Sequence, residues 1–172
     1  MLERFFPSEY TDSIRQINYR KLYDEGYRGI LFDIDNTLVP YDMEHPNQEI
    51  IDLFEDIKKI GFKIALVSNN NKIRVTTFNE KLKVFAVHKA LKPMTRNLKR
   101  AMQAIKTNKK NTVLVGDQIF TDIYGGNRIK IKTILVVPIA EKEEWITKIK
   151  RNTEKKIIKA YLKRVKKNES KH

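Results

Sequence analysis

The sequence predicts an α/β protein, a Rossmann-like three-layer α/β/α sandwich around a five-stranded, mainly parallel sheet. Two observations carry this. Short runs rich in Ile, Leu and Val alternate with amphipathic segments across residues 28–138, the order expected of βαβ units. Most of these runs are apolar throughout rather than alternating, as strands buried on both faces are.

Residues 7–25 read as a helix before the first strand, with Ile14, Ile17 and Leu22 as its buried stripe. Strands are predicted over 29–34, 62–68, 84–87, 112–115 and 132–137, and helices over 47–60, 72–80, 94–105 and 119–128. Pro46 precedes the first of these helices and Gly61 follows it, the usual start and stop punctuation. A long basic helix, about 141–168, closes the chain. No repeat, low-complexity stretch or Pro/Gly linker divides the 172 residues, which read as one domain.

Composition narrows the functions. Cysteine is absent, which removes disulfides, thiolate metal sites and thiol nucleophiles and suits a reducing compartment. The amino terminus lacks the apolar core of a signal peptide, and no window approaches the ~20 apolar residues of a membrane span. A cytoplasmic location is expected, with peripheral membrane association left open. Lys and Arg number 35 against 21 Asp and Glu, a net charge of +14. That excess favours an anionic partner: nucleic acid, anionic lipid or a polyphosphate substrate. His45, His88 and His172 show no metal-ligand spacing.

The residues suited to chemistry sit at predicted strand ends. In Asp33-Ile34-Asp35-Asn36-Thr37 the two acids are two positions apart. On an extended strand they emerge on one face, at the carboxyl end where open α/β sheets bind ligands. Two acids in one pocket can divide the labour, one as nucleophile or metal ligand and the other as proton carrier. Alone, the motif reads equally as a turn or helix cap. Ser68, followed by Asn69, Asn70 and Asn71, offers a hydroxyl and amides to phosphoryl oxygens, or a cap to the next helix. Lys92, fixed before Pro93, is placed to neutralise a phosphoryl group, or is a solvated surface charge. Gly116-Asp117-Gln118, with Thr121 and Asp122, adds a glycine for close approach and two more carboxylates of the kind Mg²⁺ prefers.

In this order, Asp33-x-Asp35-x-Thr37, Ser68, Lys92-Pro93 and Gly116-Asp117 with Asp122 resemble the four motifs of the haloacid dehalogenase (HAD) superfamily. The likeness is tighter to the YqeG-like group of subfamily IIIA, through Leu-Phe-Asp-Ile-Asp-Asn-Thr-Leu-Val, Val-Ser-Asn-Asn and Val-Gly-Asp-Gln-x-x-Thr-Asp-x-x-Gly-Gly-Asn. That group is similar to the mitochondrial phosphatidylglycerophosphate phosphatases. The resemblance implies a phosphatase in which Asp33 forms an aspartyl-phosphate and Asp35 handles the proton. It implies Mg²⁺ held by Asp33, the Asp35 backbone carbonyl and Asp117. Ser68, Lys92, Asn69 and Thr37 would form the substrate side of the site, and Asp122 would support Lys92 or a metal-bound water. A phospholipid headgroup such as phosphatidylglycerophosphate is the implied substrate. A nucleotide, protein or nucleic-acid phosphate is the alternative, as is an RNA- or ribosome-binding protein with weak catalysis.

Only 30 residues lie between Thr37 and Ser68, and 23 between Ser68 and Lys92. Neither gap has room for the cap domain that many relatives insert there. A capless HAD-type site is expected, open to a substrate too large to enclose. Beyond it, residues 146–172 hold 11 Lys and Arg against Glu154 and Glu169, a net +9. Trp145, Ile146, Ile149, Thr153, Ile157, Ala160, Tyr161 and Val165 recur there at helical spacing. This tail reads as a helix packed on the domain, as a membrane-surface helix, or as a contact to RNA phosphates. The expectation is that its near half packs and its far half meets an anionic surface.

Overall fold

The computed structural model describes residues 2–140 and 145–170, the side chains of 145–151 excepted. Six strands form one parallel sheet: β1 (Glu9–Thr11), β2 (Gly29–Phe32), β3 (Lys63–Val67), β4 (Phe85–Val87), β5 (Thr112–Gly116) and β6 (Lys132–Val136). Their spatial order is β1-β6-β5-β2-β3-β4. From β2 the chain winds outward through β3 to β4, then returns to β5 on the other side of β2. The carboxyl ends of β2 and β5 therefore flank the point where the winding reverses, the crevice in which such sheets hold ligands.

Helices α1 (Tyr19–Asp24), α2 (Gln48–Ile60) and α3 (Lys72–Asn79) cover one face, and α4 (Arg96–Ala104) with α5 (Tyr124–Arg128) covers the other. Successive residues of β2 alternate between the two layers: Ile30 and Phe32 pack with α2, while Leu31 packs with α4. Phe32 stacks on Phe54 at 5.3 Å between ring centroids. Asn47 caps α2 by accepting from the Ile50 N–H, and Gly61 ends it at φ +116°, a left-handed conformation that glycine adopts without strain. The segments joining β2 to β3 and β3 to β4 carry one α-helix each. No helix of the described residues is long and apolar enough to cross a membrane.

The structure corrects the reading of residues 7–25. They are not one helix: a short strand, β1, and a 3-10 turn at Ile14–Gln16 precede α1. β1 makes the sheet six-stranded by pairing Glu9 with Ile134 and Thr11 with Val136. Three residues are too few to show a period of two, and the strand exists because the edge of β6 needs partners for its backbone. Ile14, Ile17 and Leu22 are nonetheless buried, as the apolar spacing requires. The segment 119–128 is also not a single α-helix. It begins as a π-helical turn, Ile119–Ile123, and continues as α5.

The last helix, α6 (Trp145–Glu169), is 25 residues long, roughly 37 Å at 1.5 Å per residue. Its register is fixed at both ends. Glu154 accepts from the Ile119 N–H, just beyond the carboxyl end of β5, and Arg164 pairs with Glu3, ahead of β1. Ile157 is buried against Ile119, Ile123 and Leu135, and Tyr161 meets Phe6 at 5.8 Å between rings. The helix thus runs from the ligand-binding end of the sheet down to the opposite end. Trp145, Ile146 and Ile149 lie outside the described side chains, and His172 and residues 141–144 lie outside the described residues.

Candidate active site

Four loops at the carboxyl edge of the sheet assemble one polar cavity of about 290 Å³, lined by Asp33, Asp35, Ser68, Asn69, Asn70, Lys92, Gln118 and Thr121. Asp33 follows β2 directly and donates its N–H to Val115 of β5. The strand stops at Phe32, two residues short of expectation. Asp35 follows two residues on, immediately before a turn in which the Asn36 N–H donates to the Val39 carbonyl at 2.7 Å, with Asn36 at φ +63°. Both acids reach the same cavity, but with different neighbours.

Asp33 sits at the floor. Lys92 Nζ lies 2.6 Å from its Oδ1 and 2.6 Å from Asp122 Oδ1. The Thr37 hydroxyl lies 3.2 Å from both Asp33 Oδ2 and Asp117 Oδ1. Thr37 thus ties two carboxylates together rather than lining the cavity. Lys92 is 5 % exposed, so the solvated-charge alternative is excluded. Its backbone is clamped as well: the Lys92 N–H donates to Asn69 Oδ1 at 2.7 Å and Asn69 Nδ2 donates to the Lys92 carbonyl at 3.1 Å. Those two bonds commit the Asn69 side chain to holding Lys92. The cap of α3 is Asn71, which accepts from the Arg74 N–H. Ser68 is therefore free of that task; it is buried, and its hydroxyl accepts from the Asn70 N–H.

Gly116 explains how Asp122 reaches the floor. A Cβ on Gly116 would stand 2.3 Å from the Asp122 carboxyl carbon, so the strand-end glycine leaves the space that Asp122 fills. The Gln118 N–H then donates to Asp122 Oδ2 at 3.1 Å.

Three carboxylates, Asp33, Asp117 and Asp122, bring oxygens within 4.8 Å of one another, all buried. One ammonium, that of Lys92, faces them. Burial pushes the Asp33 carboxyl up to about 6 from its ordinary 3.8, with Lys92 opposing and Asp122 adding to the rise. Asp117 is raised too, by burial first and then by Asp33 and Asp122. Burial works against the Lys92 ammonium, but Asp122 and Asp33 outweigh it and hold its pKa above the ordinary value. A surplus of buried negative charge on hard oxygen donors fits a divalent cation such as Mg²⁺. Among the described residues, Asp33, Asp117 and Asp122 are the carboxylates close enough together to share such an ion.

Asp35 stands apart from that cluster, nearer solvent. Arg74 Nη2 and Nε approach its Oδ1 at 3.0 and 3.1 Å, and Asn70 Nδ2 donates to its Oδ2 at 3.1 Å. Arg74 Nη1 donates to the Glu44 carbonyl, linking α3 to the loop after β2. Sequence reasoning missed Arg74 and Asn70. The one signal was position: Arg74 lies three residues after the Asn71 cap, which turns it back toward the strand-end loops. A second cavity, about 210 Å³ and largely apolar, adjoins the site, with Asp117, Ile119, Val137, Pro138, Lys155 and Ile158 among its walls.

Comparison with known proteins agrees with this geometry. The chain is 42 % identical over 161 residues to the probable phosphatase YqeG of Bacillus subtilis, covering 93 % of this chain and 94 % of that protein. It belongs to the HAD-like phosphatase family. A HAD-hydrolase-like family profile matches residues 90–159. A chloroplastic/mitochondrial phosphatidylglycerophosphate phosphatase of Arabidopsis thaliana is 26 % identical over 170 residues, 92 % of this chain but 48 % of that protein's length. Among solved structures, the cobalt-bound deoxy-D-mannose-octulosonate 8-phosphate phosphatase of Haemophilus influenzae shares the fold at a TM-score of 0.52 and 14 % identity, covering 82 % of this chain and 91 % of that one. The chain is thus a phosphatase by family, and its polar cavity lies at the strand ends.

Proposed function

We propose that this phosphatase hydrolyses the phosphate monoester of a phospholipid headgroup, such as phosphatidylglycerophosphate, with Mg²⁺ in place and through an aspartyl-phosphate on Asp33. The observation that carries the chemistry is the pair of carboxylates on one small cavity. Asp33 lies buried at the floor beside Lys92, and Asp35 stands nearer the mouth. An Asp33 oxygen bonds to phosphorus as the ester oxygen departs. Asp35 gives that oxygen its proton, then takes one from the water that cleaves the acyl phosphate and frees inorganic phosphate. Ser68 and Lys92 hold the transferring oxygens, Asn69 positions Lys92, and Thr37 and Asp122 keep the carboxylates and the ammonium in place. A bound Mg²⁺ would offset the repulsion between an anionic nucleophile and an anionic substrate.

Three features support a lipid substrate. The site has no inserted cap between β2 and β4, so a headgroup at a surface can reach it. The apolar cavity beside Asp117 offers room for the non-reacting part of an amphiphile. One relative is named for phosphatidylglycerophosphate. The test is phosphate release from that lipid, a nucleotide, a phosphopeptide and a sugar phosphate, with Asp33→Asn alongside. The lipid should be preferred, and the variant should lose at least ~10³-fold in turnover while staying folded. Undiminished turnover would remove Asp33 as nucleophile, and preference for another phosphate would replace the substrate.

A further inference from the structure

We infer that the β3–β4 side of the catalytic mouth is itself a docking surface for an anionic lipid bilayer, an inference that rests on the phospholipid reading above. Nine large apolar side chains are exposed among the described residues, and seven of them follow the carboxyl end of a strand. Because the sheet is wholly parallel, all of those loops sit at the catalytic end. Isolated exposed apolar residues are ordinary on a protein surface; their gathering at the rim of one cavity is what needs a partner.

The most exposed are Ile73 at 79 %, Leu91 at 60 % and Met94 at 58 %. Ile73 lies in the first turn of α3, and Leu91 and Met94 lie in the loop after β4; the two stretches are held side by side, since the Lys89 N–H donates to the Asn70 carbonyl and the Ala90 N–H to the Ser68 carbonyl. Leu91 has φ +57°, a left-handed conformation that strains a leucine backbone, and it is the residue immediately before Lys92. The apolar tip and the catalytic lysine are therefore set by one stretch of backbone.

Charge selects the partner. From Asn69 to Arg100 the chain has nine Lys and Arg and a single acid, Glu80, which lies at the far end of α3. Exposed Lys72, Lys89 and Arg96 interleave with the three apolar residues. The neighbouring loop after β2, tied to α3 by the Arg74–Glu44 carbonyl bond, adds Asp42 and Glu44. Nine Lys and Arg against those two acids and the distant Glu80 still leave the rim a net positive charge among its apolar side chains, which matches an anionic headgroup layer over acyl chains. The distal part of α6, with Lys163, Lys166 and Lys167, lies along the segment ahead of β1, where Arg164 pairs with Glu3, on the sheet edge opposite β4. A bilayer that meets the mouth does not meet them. This replaces the expectation that the far half of the tail carries the surface contact.

The experiment compares the full chain with Ile73→Ser/Leu91→Asn/Met94→Gln on phosphatidylcholine vesicles with and without phosphatidylglycerol. Asparagine tolerates the positive φ at position 91, so the variant keeps the fold. Binding of the unaltered chain should require phosphatidylglycerol and fall about tenfold or more in the variant, while hydrolysis of p-nitrophenyl phosphate stays unchanged. Unchanged vesicle binding by the variant overturns the inference. So does loss of binding on Lys163→Glu/Lys166→Glu/Lys167→Glu with the rim intact. A rim variant that turns a dimer into a monomer in sedimentation, with vesicle binding retained, overturns it in favour of an interface between copies. Hydrolysis of phosphatidylglycerophosphate in detergent micelles tests the substrate separately: rim-dependent vesicle binding without that turnover keeps the docking surface and sinks the lipid-phosphatase reading.

Discussion

Replacing Lys92 by Met removes the one ammonium among three buried carboxylates and keeps nearly the same volume. Two ion pairs at 2.6 Å disappear. With an effective dielectric of ~20, each is about 6 kcal/mol of Coulomb attraction, most of which the desolvation of the ammonium and its partners takes back. What remains is the cost of leaving Asp33 and Asp122 uncompensated, about 3–5 kcal/mol. For a chain of this size that corresponds to a fall in Tm of roughly 6–20 °C. The assay is thermal unfolding in chelator at pH 7.5, repeated with millimolar Mg²⁺. The metal-free variant should melt far below the parent, and Mg²⁺ should restore much of the difference, because a divalent cation supplies the missing charge. Phosphate release should drop sharply even with Mg²⁺ present. A Tm within about 2 °C of the parent in chelator would refute the claim that Lys92 balances the carboxylate cluster.

Metal-free protein should become more stable as pH falls from 7.5 to about 5. Asp33 and Asp117 titrate above the ordinary carboxylate range, so between 3.8 and about 6 the folded state binds more protons than the unfolded one. The gain from Asp33 by pH 5 is about 1.4 kcal/mol, and Mg²⁺ should abolish it; a Tm that is flat or rises with pH in chelator would contradict this. Gly116→Ala should push Asp122 off the floor, since the new methyl would stand 2.3 Å from its carboxyl carbon. The expected loss is about 1–3 kcal/mol of stability together with most of the activity, and wild-type turnover in this variant would show that Asp122 does not hold Lys92.

Asp33, Ser68 and Asp117 were legible because each lies at the end of an apolar run long enough to be recognised as a strand, and Lys92, five residues past β4, because Pro93 fixes it ahead of a helix. In a parallel sheet, strand ends converge whatever the details of the loops. Arg74 and Asn70 were not legible. Arg74 is one of 35 basic residues, and its pairing with Asp35 depends on the angle at which α3 leaves β3. The helix expected over 7–25 failed for a similar reason, because β1 is defined by the edge of β6 rather than by its own three residues. Asp33 and Asp35, two positions apart just beyond β2, both line the cavity.

The local pattern of the chain determined the layered α/β fold, the order of the chemical groups and the absence of room for a cap, since apolar period, strand-end polarity and gap length are properties of the sequence itself. The tertiary structure alone decided which carboxylates share Lys92, which acid meets Arg74, and that α6 runs away from the site. Those depend on the packing angles of elements distant in sequence, where a few degrees move a charge by several ångströms. They also depend on burial, which converts a common lysine and three common aspartates into one coupled electrostatic unit.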